Sequence, residues 1–158
     1  MPFTVSLLDY GAGNVRSVRN AIASVGFDIS DISSVGDIES AQCIVFPGVG
    51  RFGECMEFLD GKRWTGALKA YLAADRPFLG ICVGFQALFA SSDESPGVAG
   101  LGVVPGAVTR FDSSAAGLPV PHMGWNQLRV EKDHAAVAAL GVDPAIFDER
   151  VYFVHSFC

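Results

Sequence analysis

The 158 residues are half hydrophobic and 18% charged, with a formal net charge of −6. That composition belongs to one well-buried domain over 1–158, and the acidic balance excludes nucleic acid or an anionic membrane as the main partner. No apolar run approaches the ~18 residues of a membrane span, no secretory signal opens the chain, and Cys43, Cys55, Cys82 and Cys158 lack CxxC or zinc spacing, which fits a reduced, cytoplasmic protein without metal or cofactor.

In chain order, Thr4–Leu8 is short, apolar and β-prone, and the glycines Gly11 and Gly13 follow it. Val15, Val18, Ala21, Ile22 and Val25 then fall at helical spacing, with Gly26 as the stop. A second strand is expected over Asp28–Ile32, and a third over Cys43–Phe46, ended by Pro47-Gly48. A helix is expected from Trp64 to Ala74, a strand over Pro77–Ile81, and a helix beginning at Phe85 and reaching Ala90. Strand–loop–helix alternation of this kind predicts a mostly parallel sheet with helices on both faces. The second half changes character. Segments at Ala107–Phe111, Gln127–Val130 and Val151–His155 read as strands between Pro/Gly turns, and antiparallel additions to the sheet are expected there. The apolar segment Val151–His155 reads as an interior strand, yet Cys158 is the last residue; the expectation is a C-terminally truncated domain.

The densest chemistry lies in Gly80-Ile81-Cys82-Val83-Gly84. It is the cysteine form of the strand–turn–helix nucleophile elbow. A sharp turn needs small neighbours, lifts the side chain above the sheet edge, and aims helix N-terminal N–H groups at the sulfur, which favours the thiolate. The N–H of Val83 then serves as an oxyanion donor. The competing reading is a buried structural cysteine between packing glycines. A second loop, Pro47 to Gly53, holds Gly48, Gly50 and Gly53 in the spacing of a dinucleotide fingerprint. It follows a later strand and lacks the acidic residue such a unit requires. Its backbone could instead face a developing oxyanion beside Cys82. The first loop, Asp9 to Asn14, has Arg16 where a third glycine would stand, and reads as a surface loop for partner contact.

A cysteine nucleophile wants an imidazole base oriented by a carboxylate or amide. His134 reads as solvated, His122 as part of a Pro-rich turn, and His155 as the end of a strand. No His-x-Glu or His-x-Asp pair occurs in the sequence.

Taken together, Asp9-Tyr10-Gly11-Ala12-Gly13-Asn14 with Arg16-Ser17-Val18, Phe46-Pro47-Gly48-Val49-Gly50 with Phe52-Gly53, Gly80 to Gln86, Pro121-His122-Met123-Gly124-Trp125-Asn126 and Phe153-Val154-His155-Ser156 resemble the class I glutamine amidotransferases. More narrowly they resemble the glutaminase subunit or domain of imidazole glycerol phosphate synthase. The resemblance implies a three-layer α/β, flavodoxin-like fold with a mixed sheet. It implies that Cys82 attacks the side-chain amide of glutamine, giving a thioester and ammonia. The N–H of Val83 and a backbone group at Val49 would form the oxyanion hole. Gly48, Gly50, Gln86, Glu94, His155, Ser156 and Phe157 would line the glutamine pocket, with Glu94 suited to the α-ammonium. Asn14, Met123 and Trp125 would face a (β/α)8 cyclase, separate or fused C-terminally, which uses the ammonia to make imidazole glycerol phosphate and AICAR. Three departures stand out: Val83 where the family usually has Leu, Phe157 where it usually has Tyr, and no His-Pro-Glu segment, so the fragment is expected to be nearly inactive alone. The alternatives are a glutaminase serving another synthase and a non-catalytic binding module with a structural cysteine.

Overall fold

A computed structural model describes residues 3–112, 114, 119–128 and 149–158. Two compact units emerge, one of residues 1–110 with Cys158 and one of residues 111–157.

The first unit is built on a four-stranded parallel sheet of order β2-β1-β3-β4. Its strands are β1 (Thr4–Leu7), β2 (Asp28–Asp31), β3 (Cys43–Gly48) and β4 (Phe78–Cys82). Helix α1 (Val15–Ser24) joins β1 to β2. Its Val15, Val18 and Ile22 pack on Val5, Leu7 and Val45 on one sheet face. Val25, at the helix end, is exposed instead. Gly26 stops the helix as expected: it adopts φ 88°, and the N–H groups of Gly26 and Phe27 return to Ala23 and Ile22. The opposite face carries α2 (Val35–Ser40), α3 (Phe52–Gly61) and α4 (Thr65–Ala73). Ile44 and Phe46, alternating with Val45 along β3, join Ile38, Phe52, Met56, Leu59 and Leu68 in the larger core. Helices therefore cover both faces.

Several boundaries differ from the expected ones. Strand β3 runs through Pro47-Gly48 rather than stopping there. Ile44 donates toward β4, so Pro47, three residues on, turns its missing N–H toward β1, whose pairing has ended at Val45. Pro47 therefore costs the ladder no bond. The loop expected over residues 47–53 gives way to α3 at Phe52, whose apolar residues Phe52, Cys55, Met56 and Leu59 are all buried. Helix α2 was not expected. It is six residues long and rests on a capping box in which Ser34 accepts from Asp37 N–H while Asp37 accepts from the Ser34 N–H.

The helix expected from Phe85 to Ala90 is a single turn, α5 (Val83–Gln86), followed by β5 (Phe89–Ser92). The reason is competition for carbonyls. Those of Ala87, Leu88, Phe89 and Ala90 accept from Leu101, Val103 and Val104, Gly102, and Gly100, respectively, leaving no i→i+4 ladder. Gly100 makes this approach possible, since a Cβ there would lie 2.1 Å from the Phe89 carbonyl oxygen. The strand expected at Ala107–Phe111 lies earlier, as β6 (Val104–Val108), and pairs parallel with β5.

The second unit contains the antiparallel pair β7 (His122–Gln127) and β8 (Arg150–His155). His122 thus starts a strand rather than lying in a turn. The strand expected at Gln127–Val130 ends at Gln127; residues 129–130, like His134, lie outside the described residues. No described helix is long and apolar enough to cross a membrane.

Candidate active site

Strand β4 ends at Cys82 and α5 begins at Val83, so the cysteine occupies the corner itself. Its backbone is left-handed in φ, at 55°, with ψ −116°. A non-glycine residue there is strained by about 1–3 kcal/mol. Both flanking glycines are required by close approach. A Cβ at Gly80 would stand 2.6 Å from Cα of Phe85, and one at Gly84 would stand 1.9 Å from the carbonyl oxygen of Phe46. The turn is thus pressed against β3 on one side and its own following turn on the other. The result is an exposed Cys82 thiol, which disposes of the buried structural cysteine. Because α5 is one turn long, what it offers the sulfur is its first N–H groups rather than a long macrodipole. The side chain of Val83 is buried in the larger core, so the replacement of Leu by Val here is a matter of packing and leaves the N–H in place.

The glycine loop stands beside this corner. In the β3–β4 register Gly48 is the ladder partner of Cys82. Val49 and Gly50 follow directly and are exposed, with Gly50 at φ 115°. Glu94 reaches the same loop: its Oε2 accepts from the Phe52 N–H at 2.8 Å, and Ser95 Oγ accepts from the Gly53 N–H at 2.9 Å. The two residues cap α3, whose first N–H groups have no partner within the helix. Glu94 is therefore half-buried and engaged. Gln86 is half-buried in the α5 turn.

The first loop is only partly a surface loop. Asn14 is exposed and caps α1 by accepting from Ser17 N–H. Gly13, however, lies against the Gly48–Val49 backbone, with Val49 N 3.4 Å from where its Cβ would be. Tyr10 is buried, and its hydroxyl donates to the Val49 carbonyl. The sequence reading gave Tyr10 no role. Its signal was an aromatic residue inside an otherwise small, polar loop directly after a buried strand.

In the second unit, strand alternation sorts the remaining candidates. Met123 and Trp125 pair with Val154 and Tyr152 on one face of the β7–β8 ribbon, and all four are exposed. The Trp125 and Tyr152 rings meet edge to face, 5.4 Å apart. His122 and His155 pair on the other face, their rings 5.7 Å apart. His155 Nδ1 lies 2.9 Å from the Phe157 carbonyl oxygen, so that nitrogen carries the proton. Ser156 accepts from Phe111 N–H through its carbonyl. Within this ribbon, His155 thus lies on the face opposite Met123 and Trp125.

Of the other thiols, Cys158 is also exposed, Cys43 is half-buried and Cys55 is protected. Cys55 is fully buried in α3, and desolvation pushes its pKa from 9.0 up to about 12. The unfolded chain ionises this thiol at a lower pH than the folded one. Stability present below pH 9 should therefore be lost progressively as pH rises from about 9 toward 12. Urea midpoints measured across that range should fall for the wild type and fall less for Cys55→Val; equal slopes would refute the assignment.

The family "Glutamine amidotransferase class-I" matches residues 6–157. The imidazole glycerol phosphate synthase hisHF of Arabidopsis thaliana, chloroplastic, is 52% identical over 97% of this chain and 25% of its own length. The hisHF of Schizosaccharomyces pombe is 44% identical over 97% of this chain and 27% of its own. The chain therefore spans about a quarter of these relatives. The imidazole glycerol phosphate synthase subunit HisH of Methanothermobacter thermautotrophicus is 44% identical over 97% of this chain and 72% of its own length. A crystal structure of a glutamine amidotransferase superposes with a TM-score of 0.67 at 16% identity, covering 96% of this chain and 70% of that one, a likeness of fold. The corner at Cys82, the glycine loop paired with it and these matches lead to one assignment: the chain belongs to the class-I glutamine amidotransferase family, with imidazole glycerol phosphate synthase HisH and hisHF proteins as its relatives.

Proposed function

We propose that Cys82 is the nucleophile of a glutaminase that supplies ammonia to a (β/α)8 cyclase in histidine biosynthesis. The supporting observation is the exposed thiol at a strained corner whose ladder partner is Gly48. In this reading the Cys82 thiolate adds to the side-chain amide carbon of glutamine. The carbonyl electrons move onto oxygen and are met by the Val83 N–H and a backbone donor at Val49. Collapse of the tetrahedral centre expels the amide nitrogen, which leaves as ammonia once protonated, and a thioester remains. Water then hydrolyses the thioester to glutamate and restores the thiol. Gly48, Gly50, Gln86, Glu94, His155, Ser156 and Phe157 belong to the glutamine side of this proposal. Glu94 retains its second carboxylate oxygen for the substrate's α-ammonium.

The cyclase, as a separate subunit or a fused domain, is the proposed recipient of ammonia. The apolar ribbon face bearing Met123 and Trp125, together with exposed Asn14, supports a protein partner. A cytoplasmic setting belongs to the same proposal, as does the reading of these residues as one amidotransferase domain lacking its His-x-Glu pair. Relatives named for imidazole glycerol phosphate synthase favour this recipient over another synthase.

The test is covalent labelling by 6-chloro-5-oxonorleucine, a glutamine-shaped chloroketone, read by intact mass. One adduct is expected, at Cys82, slowed by free glutamine and absent in Cys82→Ala. Iodoacetamide labelling of the exposed Cys158 should show no glutamine protection. A chloroketone adduct that survives in Cys82→Ala, or that glutamine does not slow, would overturn the proposal.

A further inference from the structure

Val49 lies between Gly48 and Gly50. A peptide next to glycine turns cheaply, because the backbone pays little steric penalty. Yet the orientation of the Val49–Gly50 peptide decides which end of its dipole is presented near the ladder partner of Cys82. A carbonyl oxygen turned toward a developing oxyanion repels it, whereas an N–H stabilises it. Something must hold this plane.

We infer that Tyr10 is a positioning residue for the reaction proposed above, its hydroxyl holding the Val49–Gly50 peptide in one orientation beside Cys82. Four observations carry this inference, which rests on the glutaminase reading. First, the Tyr10 hydroxyl donates to the Val49 carbonyl at 2.5 Å. Second, the ring is only 8% exposed and is fixed by aromatic neighbours, edge to face with Phe46 and tilted on Phe58, each at 6.0 Å. The donor is therefore preorganised by the core and does not depend on the loop it restrains. Third, Gly48 is shaped to the ring. A Cβ there would lie 2.7 Å from Tyr10 Cε1, and one at Gly50 would lie 3.6 Å from the hydroxyl. Fourth, burial above all, followed by the negative ends of Cys55, Cys82, Glu54 and Glu94, holds the phenol above its ordinary pKa. Tyr10 thus stays a proton donor at every working pH.

The test separates oxyanion-dependent chemistry from simple thiol reactivity. Addition of the Cys82 thiolate to the chloroketone carbonyl builds an oxyanion where the glutamine amide oxygen would sit; sulfur then displaces chloride from the neighbouring carbon as the carbonyl re-forms, leaving a stable thioether and free chloride. Iodoacetamide alkylates by direct displacement and builds none. In Tyr10→Phe the ring packing remains and the hydroxyl is lost. Chloroketone labelling should fall at least tenfold while iodoacetamide labelling at Cys82, read by peptide mapping because Cys158 is also exposed, stays within twofold. Tyr10→4-aminophenylalanine, which restores a donor, should recover most of the loss. Chloroketone rates within twofold of wild type in Tyr10→Phe, a parallel fall for both reagents, or no rescue by the amine would overturn the inference. Wild-type protein that labels with no glutamine protection would instead sink the glutaminase reading, and this inference with it.

Discussion

Glutamine turnover by these 158 residues alone is expected to be on the order of 10⁴-fold below that of an intact cysteine–histidine–carboxylate centre, the cost seen when a triad member is lost. The reasoning begins with proton inventory. Thioester formation needs a base for the thiol and an acid for the departing nitrogen, and hydrolysis needs a base for water. The sequence contains three histidines, and none has Glu or Asp two positions on. His155, the one assigned to the glutamine side, has its Nδ1 turned to the Phe157 carbonyl, so a main-chain oxygen rather than a carboxylate orients it. A backbone carbonyl fixes a tautomer but carries no full charge to stabilise an imidazolium. The measurement is glutamate and ammonia release from glutamine, with and without a barrel cyclase. Labelling at Cys82 should proceed while release stays near background in both cases. Turnover comparable with a complete glutaminase would show that one of the present histidines suffices.

The contrast between what the sequence disclosed and what it concealed has a physical pattern. The parallel strands were legible because each is a short apolar run punctuated by glycine. Cys82 was legible because an elbow needs small residues on both sides, and Gly80 and Gly84 prove to be pressed against Phe85 and Phe46. Less was readable where long-range contacts decided the outcome. The α5 turn goes no further because residues Gly100 to Val104 take the carbonyls of Ala87 to Ala90 just beyond it, and no local propensity announces that competition. Helix α3 was obscured by Gly53, which looked like part of a loop. Its tolerance there reflects a neighbour, since a Cβ would lie 2.9 Å from Ser95 Oγ. Tyr10 was passed over for the same reason. Its meaning lies in the Val49 carbonyl, 39 residues away in sequence.

Gly84→Ala is expected to destabilise the first unit by at least ~3 kcal/mol, at the severe end for a single substitution. The added methyl would occupy a point 1.9 Å from the Phe46 carbonyl oxygen and 2.8 Å from its carbonyl carbon. Those are backbone atoms of a central strand, and Phe46 itself is fully buried in the larger core. Neither can retreat as a flexible side chain would. Relief would have to come from moving α5 off β3, which pulls Val83 from the core and rotates the corner that holds Cys82. Stability and thiol presentation should therefore fail together. Urea unfolding should show a much lower midpoint, and chloroketone labelling at Cys82 should fall even below the transition. Gly66→Ala is the control. Gly66 lies in α4 with open space where the Cβ would stand, so that change should stabilise by about 0.5–1 kcal/mol through helix propensity and a less flexible unfolded chain. A Gly84→Ala chain as stable as wild type would mean that the corner is not packed against β3, and the strain at Cys82 would lose its structural support.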